Sequence, residues 1–177
     1  MEHKNIYKPI QGYPGFFEQY LKNVPDDGAL LQHLNNILTE TETLVSNLTE
    51  EQLMFRYQED KWTIKDILLH LVDCERIIIY RATRIARADK TILPGFDENL
   101  FVLHANANNR TVADILKELK AFRASSIVFI ETLDEESLDR TGNANGLDMS
   151  TRLLVNHLYG HHKHHLNIIR ERYLSAC

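Results

Sequence analysis

Histidine residues are concentrated near the carboxyl end of the chain, where their spacing suits metal binding. Nine histidines occur in 177 residues, and one short segment holds His157, His161, His162, His164 and His165. Residues four positions apart lie on the same side of a helix, so His157, His161 and His165 share one face. A His-x-x-x-His pair of this kind can present two imidazoles to one metal ion.

The residue after His161 limits the chemistry that this pair can perform. In the zinc-binding His-Glu-x-x-His helix, a glutamate follows the first histidine and serves as the general base. Here that neighbour is His162. The sequence therefore does not support metalloprotease chemistry of that type.

A further histidine, His70, stands alone within the apolar run Ile67-Leu68-Leu69-His70-Leu71-Val72. A lone histidine in such a run is usually a core residue with an ordinary hydrogen-bond partner. A metal centre inside a helical bundle, however, is built from side chains that project inward from facing helices. With His161 and His165, His70 would supply three imidazoles and leave one coordination position open. We therefore expect one divalent ion: zinc or nickel first, then iron or manganese.

Composition and charge exclude several other classes of protein. The chain is 44% hydrophobic and 25% charged, which is typical of a globular domain and not of a disordered chain. Because the formal net charge is −5 and no long run of Lys and Arg occurs, we expect no nucleic-acid partner. No apolar segment approaches the length of a membrane span or of a signal-peptide core. We therefore expect a cytoplasmic protein without membrane contact.

The arginines and cysteines near His70 have simpler interpretations than a binding site. A basic stripe that we interpret as a solvated helix face consists of Arg81, Arg84 and Arg87. Cys74 and Cys177 have no metal-binding spacing, and no sequence feature requires a disulfide between them. Cys74 nevertheless follows His70 by four residues, so it could reach the same ion as a fourth ligand.

Four amphipathic segments must position these side chains, since apolar residues recur along each of them with helical spacing. The first helix should begin after a cap at Asp26 or Asp27. The second should begin at Thr63, which has an acid three residues later, and the third at Thr111 for the same reason. The fourth should begin near Ser150. Four such helices separated by loops predict an all-α, antiparallel four-helix bundle.

The remaining segments are expected to cover this bundle. Residues 1–25 contain three prolines and should wrap the surface with one short helix, before a bundle that occupies residues 27–175 of a single domain, 1–177. The connection between helices two and three, roughly 89–110, is long enough to cross the bundle end or cover a site, and a short helix is expected within 98–108. A glycine- and asparagine-rich stretch before the fourth helix is expected to be a loop, with Gly142, Asn143, Asn145 and Gly146.

Three segments resemble the DinB/YfiT-like metalloenzyme superfamily. The first is Lys61-Trp62-Thr63-Ile64-Lys65-Asp66-Ile67-Leu68-Leu69-His70-Leu71-Val72-Asp73-Cys74-Glu75-Arg76. The second is Gly160-His161-His162-Lys163-His164-His165-Leu166-Asn167-Ile168-Ile169-Arg170-Glu171-Arg172-Tyr173. The loop Leu93-Pro94-Gly95-Phe96-Asp97 is also similar to one in these proteins. The resemblance covers about residues 27–175.

The resemblance implies a four-helix bundle with one histidine ligand on the second helix and a His-x-x-x-His pair on the last. Carried over, this gives His70, His161 and His165 as the metal ligands. His157 and His164 remain alternatives, because His157 shares the face and His164 lies three residues after His161. The resemblance also implies a small-molecule substrate, with low-molecular-weight thiol S-transferases, a thiol-dependent isomerase and hydrolases among the relatives. Related proteins often pair, so a homodimer is a further expectation.

An ion held by three histidines could activate water for hydrolysis or bind a thiol as its thiolate, and the sequence does not decide between these reactions. Asp97 and Asp73 are candidate acids or bases, although Asp73 could instead orient a ligand or form a surface ion pair. Arg123 is a candidate for holding an anionic substrate, with a plain helix-surface position as the alternative. The contrasting hypothesis is a non-catalytic stress-response bundle with a structural metal, so the sequence alone does not establish an enzyme.

Overall fold

The computed structural model describes residues 4–175, most of which are helical. In chain order the helices are α1 (Glu18–Leu21), α2 (Leu30–Val45), α3 (Glu50–Met54), α4 (Ile64–Ala86), α5 (Glu98–Ala105), α6 (Val112–Glu131), α7 (Glu135–Asp139) and α8 (Thr151–Ile168). The long helices α2, α4, α6 and α8 form the predicted all-α four-helix bundle. Residues 1–3 of the predicted wrap lie outside the described residues, as do residues 176 and 177, so the interpretation of Cys177 stays a prediction.

Three of the bundle helices begin at the predicted capping residues. The Thr63 hydroxyl accepts a hydrogen bond from the backbone N–H of Asp66 (3.0 Å), and the Asp66 carboxylate accepts one from the backbone N–H of Thr63 (2.9 Å). This is the predicted capping box, which satisfies N–H groups that have no partner within the helix. Thr111 and Ser150 cap α6 and α8 in the same way, through the backbone N–H groups three residues later.

The first bundle helix begins later than predicted. Neither Asp26 nor Asp27 is its cap: α2 begins at Leu30 after Ala29, which provides no side-chain cap. Gly28 has a φ of 77°, a left-handed conformation that a helix cannot continue through. The Asp27 carboxylate instead accepts a hydrogen bond from the backbone N–H of Ala29 (2.9 Å). The predicted start at Asp26 or Asp27 is therefore wrong because the glycine delays the helix.

A β-hairpin replaces the loop that was expected before α8. Strand β1 (Thr141–Ala144) pairs antiparallel with β2 (Leu147–Ser150). The turn residues Asn145 and Gly146 have φ values of 55° and 73°, the conformation that hairpin turns with an Asn-Gly pair adopt. Leu93 joins the hairpin edge, because its backbone N–H donates to the Asn143 carbonyl (3.0 Å) and its carbonyl accepts from the Asn145 N–H (2.9 Å). The hairpin thus anchors the long connection between α4 and α6.

Two segments outside the bundle lie against its helices. The predicted short helix in the long connection is α5, which packs beside α4, has no buried residue and is followed by a 3₁₀ turn over Ala107–Asn109. Near the start of the chain, a 3₁₀ turn (Gly15–Phe17) and α1 pack on α8. Among residues 4–175, no helix combines the length and the apolar character needed to cross a membrane.

Candidate metal centre

Three imidazoles from two helices meet at one point inside the bundle. His70 lies on α4, and His161 and His165 lie one turn apart on α8. The Nε2 atom of His161 is 3.2 Å from Nε2 of His70 and 3.1 Å from Nε2 of His165. All three candidate ligand atoms lie within 4.8 Å of one another. The structure therefore brings together the three residues that the sequence analysis proposed as ligands.

The donor set fits a divalent metal ion. Nitrogen ligands at about 2.0–2.1 Å in a tetrahedral site stand about 3.3 Å apart, close to the two Nε2 separations. Burial lowers the pKa of His70 to about 4. Burial, reinforced by the neighbouring histidines, also holds the pKa values of His161 and His165 well below the ordinary value. All three rings are therefore neutral at pH 7, which is the form that binds metals.

Aromatic rings pack directly on the candidate ligands. The Trp62 ring lies 4.6 Å from the His70 ring and is stacked at 6.3 Å on the His165 ring, centroid to centroid. On the other side, the Tyr20 ring meets the His161 ring edge-on at 5.5 Å. These contacts restrict the rotation of each imidazole. The ligand atoms are therefore held in position by packing as well as by the helices.

The neighbouring His162 points away from this cluster into a buried polar network. Thr41 donates its hydroxyl proton to the Ile37 carbonyl (2.7 Å), so it accepts a hydrogen bond from Nε2 of His162 (2.8 Å). Nδ1 of His162 then accepts from the Arg123 guanidinium (3.2 Å). Burial and the positive charge of Arg123 hold the pKa of His162 well below its ordinary value. His162 thus joins α8 to α2 and α6 and is not available to the ion.

Arg123 does not occupy the position that either sequence-based interpretation gave it. Its side chain is only 2% exposed, so it is not a helix-surface residue. The guanidinium forms two hydrogen bonds to the Glu75 carboxylate, both at 2.8 Å, and one to the Leu34 carbonyl at 2.7 Å. This bidentate pairing makes the burial of both charges tolerable. Because its donors are already engaged, the geometry gives no support to substrate binding by Arg123.

The two candidate acid or base residues are not brought to the cluster either. The Asp73 carboxylate accepts a hydrogen bond from Arg76 (3.1 Å), which also pairs with Glu118 on α6. Desolvation raises the pKa of Asp73. Asp97 is exposed, and its carboxylate caps α5 by accepting from the backbone N–H of Leu100 (3.0 Å). Of the two alternatives for Asp73, the structure contains the ion pair.

A cavity of about 380 Å³ opens in front of the three imidazoles, a volume suited to a small molecule. Its walls come from the 3₁₀ turn and α1, from α4, α5 and α8, and from the hairpin. A wider groove of about 830 Å³ lies beyond Trp62, but of the three histidines it touches His165 alone. The smaller cavity is therefore the candidate substrate site.

Sequence reasoning missed several residues that line this cavity, among them Tyr20, Arg81 and Glu98. Arg81 was interpreted as part of a solvated stripe, which is wrong, because the residue is only 9% exposed. A signal was available, since Arg81 follows His70 by eleven positions, close to three helical turns of 3.6 residues. No comparable signal marks Tyr20 or Glu98, which reach the cavity through the packing of separate segments.

Three further residues that the sequence singled out also line the cavity. The His157 ring lies 5.4 Å from the His161 ring, and among the described residues its buried Nδ1 has no hydrogen-bond partner. His164 contacts the His165 ring at 5.3 Å. The Cys74 sulfur is 3.5 Å from both ring nitrogens of His70, and burial raises the pKa of its thiol, so it is protonated at pH 7. Within the described residues, the group of mutually close ligand atoms contains none of the three.

Comparison with known proteins points to one family. The family model of the DinB superfamily matches residues 33–169, which include all three histidines of the cluster. A protein of Oceanobacillus iheyensis is 27% identical over 143 residues, 79% of each chain, and one of Geobacillus kaustophilus is 25% identical over 134 residues, 75% of each chain. Both are named "Putative metal-dependent hydrolase".

Among solved structures, YfiT from Bacillus subtilis has a similar fold. The TM-score is 0.75, and the match covers 96% of this chain and 93% of YfiT at 18% identity. YfiT is described as a probable metal-dependent hydrolase with an unusual four-helix bundle topology. At this level of identity the likeness concerns the fold alone.

Proposed function

This chain belongs to the DinB superfamily, and from that premise we propose that it is a metal-dependent enzyme acting on a small molecule. His70, His161 and His165 would hold one divalent ion, zinc or nickel before iron or manganese. The reaction would be the attack of a nucleophile on an electrophilic substrate in the adjoining cavity.

One observation carries this proposal: three neutral imidazoles converge on the wall of a cavity large enough for a small molecule. A purely structural site closes all four coordination positions with protein ligands, whereas catalytic zinc sites use three and leave one open. Among the described residues, no fourth His, Cys, Asp or Glu belongs to the group of mutually close ligand atoms. The open side supports catalysis over the alternative of a non-catalytic bundle with a structural ion.

When bound, a divalent ion supplies Lewis acidity, which makes a water molecule or a thiol nucleophilic near neutral pH. The chain itself provides the surroundings for this chemistry. Trp62 and Tyr20 pack on the ligand rings and restrict their rotation. Glu98 is the carboxylate on the cavity wall that could accept or return a proton.

Hydrolysis is the first candidate reaction, and the names of the two sequence relatives support it. Hydrolysis uses a base near the attacking water. Asp73 and Asp97 are engaged elsewhere, which leaves Glu98 for this role. A hydrolase assignment therefore predicts that Glu98→Gln loses most of its turnover while retaining its metal.

Transfer to a low-molecular-weight thiol is the second candidate, and the cavity itself favours it. Among the described residues, no carboxylate belongs to the ligand group, and His162 stands where a zinc protease has its glutamate. A thiol loses its proton far more readily than water does, so it needs no strong base beside the ion. The thiol would come from solution, because Cys74 is buried and protonated at pH 7.

The test is to assay the purified protein with two reactions in parallel. One follows the release of nitrophenol from a panel of nitrophenyl esters, and the other follows the conjugation of monobromobimane with a panel of cellular thiols. We expect activity in at least one assay, its loss after treatment with a chelator, and its return when zinc or nickel is added back.

Two variants make the result specific to the cluster. His161→Ala should lack the metal-dependent activity, whereas His104→Ala should retain it, because His104 is exposed on α5 and outside the cavity. If the full chain binds one equivalent of metal but neither assay responds to chelation, the structural-ion alternative would be correct.

A further inference from the structure

Two arginines of the bundle are buried, but their guanidinium groups have different surroundings. Arg123 is fully paired, with two hydrogen bonds to Glu75 and one to the Leu34 carbonyl. Arg81 is 9% exposed, yet within the described part of the chain it makes a single hydrogen bond, from Nη2 to the Pro94 carbonyl (2.8 Å). Among the described residues, no carboxylate lies within 4.0 Å of it, whereas every other buried arginine or lysine there has one.

Arg81 lines the cavity in front of the three imidazoles. A guanidinium has five N–H donors, so among the described residues the Pro94 carbonyl leaves most of them without a protein acceptor. The Phe96 ring lies below the guanidinium at 5.9 Å and shields one of its faces. A buried charge without an ion-pair partner is costly, and an anion bound in the cavity would reduce this cost.

Among the described residues, none of the other ionisable groups on the cavity wall forms an ion pair with Arg81. The five histidines on the wall have pKa values below the ordinary one and are neutral at pH 7, as is the Cys74 thiol. Burial lowers the pKa of Arg81, and Glu98, an exposed carboxylate on the wall, is near enough to oppose this shift, but among the described residues it forms no ion pair with Arg81 within 4.0 Å. The cavity wall therefore carries one positive charge, on Arg81, and one negative charge, on Glu98, with no ion pair between them among the described residues.

We infer that Arg81 binds an anionic group of the substrate, so that the cavity selects small molecules that carry a carboxylate. The inference rests on the proposed function in one respect: the ligand is taken to be the substrate of the same site. The apolar walls at Ile78, Phe96 and Leu154 would contact the body of the molecule. Arg81 and His70 lie eleven residues apart on α4, which is about 16 Å along the helix axis. The carboxylate would then bind at the end of the cavity away from the ion.

The experiment compares two probes of the same shape, 3-phenylpropanoate and 3-phenylpropanamide, by calorimetric titration of the full chain. Chelator-treated protein is used, so that the carboxylate cannot gain affinity from a metal ion and the result does not depend on whether the chain is a metalloenzyme. We expect the carboxylate to bind about tenfold more tightly than the amide, as one charge-assisted hydrogen-bond pair would provide.

Three variants test whether Arg81 causes this preference. Arg81→Gln should bind the two probes equally, and Arg81→Lys should keep a reduced preference for the carboxylate, because the charge remains but the bidentate geometry is lost. Arg84→Gln is the matched control on the same helix, since Arg84 pairs with Asp89 outside the cavity. Circular dichroism of each variant verifies the fold, and Arg81→Lys serves if Arg81→Gln is unfolded.

Two results would overturn the inference. One is equal or absent binding of the two probes by the wild-type chain. The other is a carboxylate preference that persists in Arg81→Gln, or that disappears in Arg84→Gln to the same extent. Because metal content and turnover are measured separately, a chain that binds no metal but prefers the carboxylate would contradict the proposed function and leave this inference standing.

Discussion

The Nε2 atoms of His70 and His161 lie 3.2 Å apart, although the two residues are 91 positions apart in the sequence and belong to different helices. The same His161 atom is 3.1 Å from Nε2 of His165. Each neutral imidazole carries one proton, and a proton on Nε2 of His161 can be directed at only one of its two neighbours. A shared cation would satisfy all three nitrogens at once, which is why we treat the cluster as a metal site.

Replacing a ligand should remove the ion. We expect His161→Ala to lose about one equivalent of divalent metal as measured by elemental analysis, because two remaining imidazoles hold the ion far less tightly. In wild type a chelator should lower the melting temperature, since an ion bound only to the folded state stabilises it. In His161→Ala the chelator should have no effect.

The alternatives for the ligand set are tested with two further variants. His164→Ala should retain its metal, because this ring lies beside the cluster and contributes no atom to it. His157→Ala should retain it for the same reason. Metal loss from either variant, together with its retention in His161→Ala, would assign the ion to a different set of histidines.

Acid should destabilise the metal-free protein through its buried histidines. Burial lowers the pKa of His70 from the ordinary 6.5 to about 4 in the folded chain, so the unfolded chain binds more protons between these two values. The buried neutral His70 therefore costs no stability above pH 6.5. Below that value the free energy of unfolding decreases as the pH falls towards 4. For His70 alone the loss near pH 4.5 is on the order of 2–3 kcal/mol.

This acid sensitivity is measured by urea unfolding of chelator-treated protein at a series of pH values. Between neutral pH and pH 4.5, the free energy of unfolding of His70→Gln should decrease less than that of wild type, because glutamine has no proton to gain. The difference should be on the order of 2–3 kcal/mol. His161 and His165 act in the same direction and remain in both proteins. An identical pH dependence in wild type and His70→Gln would show that His70 does not titrate as its burial requires.

The buried pair of Glu75 and Arg123 should contribute to the stability of the fold and have no direct contact with the substrate. Glu75→Gln leaves the guanidinium buried without a counter-charge, for which we expect a loss of about 3–5 kcal/mol in the free energy of unfolding. Glu136→Gln is the matched control, because Glu136 forms an exposed pair with Arg140 and should cost less than about 1 kcal/mol.

A double variant separates charge pairing from packing in the same place. Glu75→Leu combined with Arg123→Met removes both charges and should be more stable than Glu75→Gln, because no unpaired charge remains. Chemical denaturation gives the free energy of unfolding of the double variant, of Glu75→Gln and of Glu136→Gln. Similar losses for Glu75→Gln and Glu136→Gln would contradict the buried position of this pair.

The parts of the molecule that could be predicted are those specified by residues near one another in the sequence. The start of α4 depends on Thr63 and Asp66, three positions apart, and it was predicted correctly. The His-x-x-x-His pair is equally local, and His70 was proposed from its place in an apolar run and then supported by the resemblance to a family. The Asn145-Gly146 turn is also a local signal, and it was misinterpreted although the hairpin preference of this dipeptide is strong.

The parts that could not be predicted depend on long-range partners. Arg123 is buried because Glu75, 48 positions away, neutralises it, and an isolated arginine in a helical pattern carries no sign of that partner. Arg81 is buried because the connection after α4 folds back and places the Pro94 carbonyl over it. Helical spacing places both residues beside buried positions of their helices, but it does not indicate which group a buried guanidinium would contact. The chemical character of the cavity therefore emerges only when the segments outside the bundle are in place.

The contact between Gly160 and the N-terminal segment provides a last prediction, in which packing opposes helix propensity. Alanine is favoured over glycine inside a helix by about 1 kcal/mol, so propensity alone predicts that Gly160→Ala stabilises α8. A Cβ atom at this position, however, would lie 2.5 Å from the Tyr20 carbonyl oxygen, a backbone atom of α1. We expect the steric overlap to outweigh the helix propensity, so that Gly160→Ala lowers the free energy of unfolding by about 1–3 kcal/mol.

A second consequence follows for the N-terminal segment. Because α1 carries Tyr20 against His161, cleavage of residues 13–24 by a protease should become faster in Gly160→Ala. Gly15→Ala is the matched control, since nothing lies within 4 Å of a Cβ atom there. Gly160→Ala with unchanged protease resistance and a higher melting temperature would show that α1 does not pack on α8 in this way.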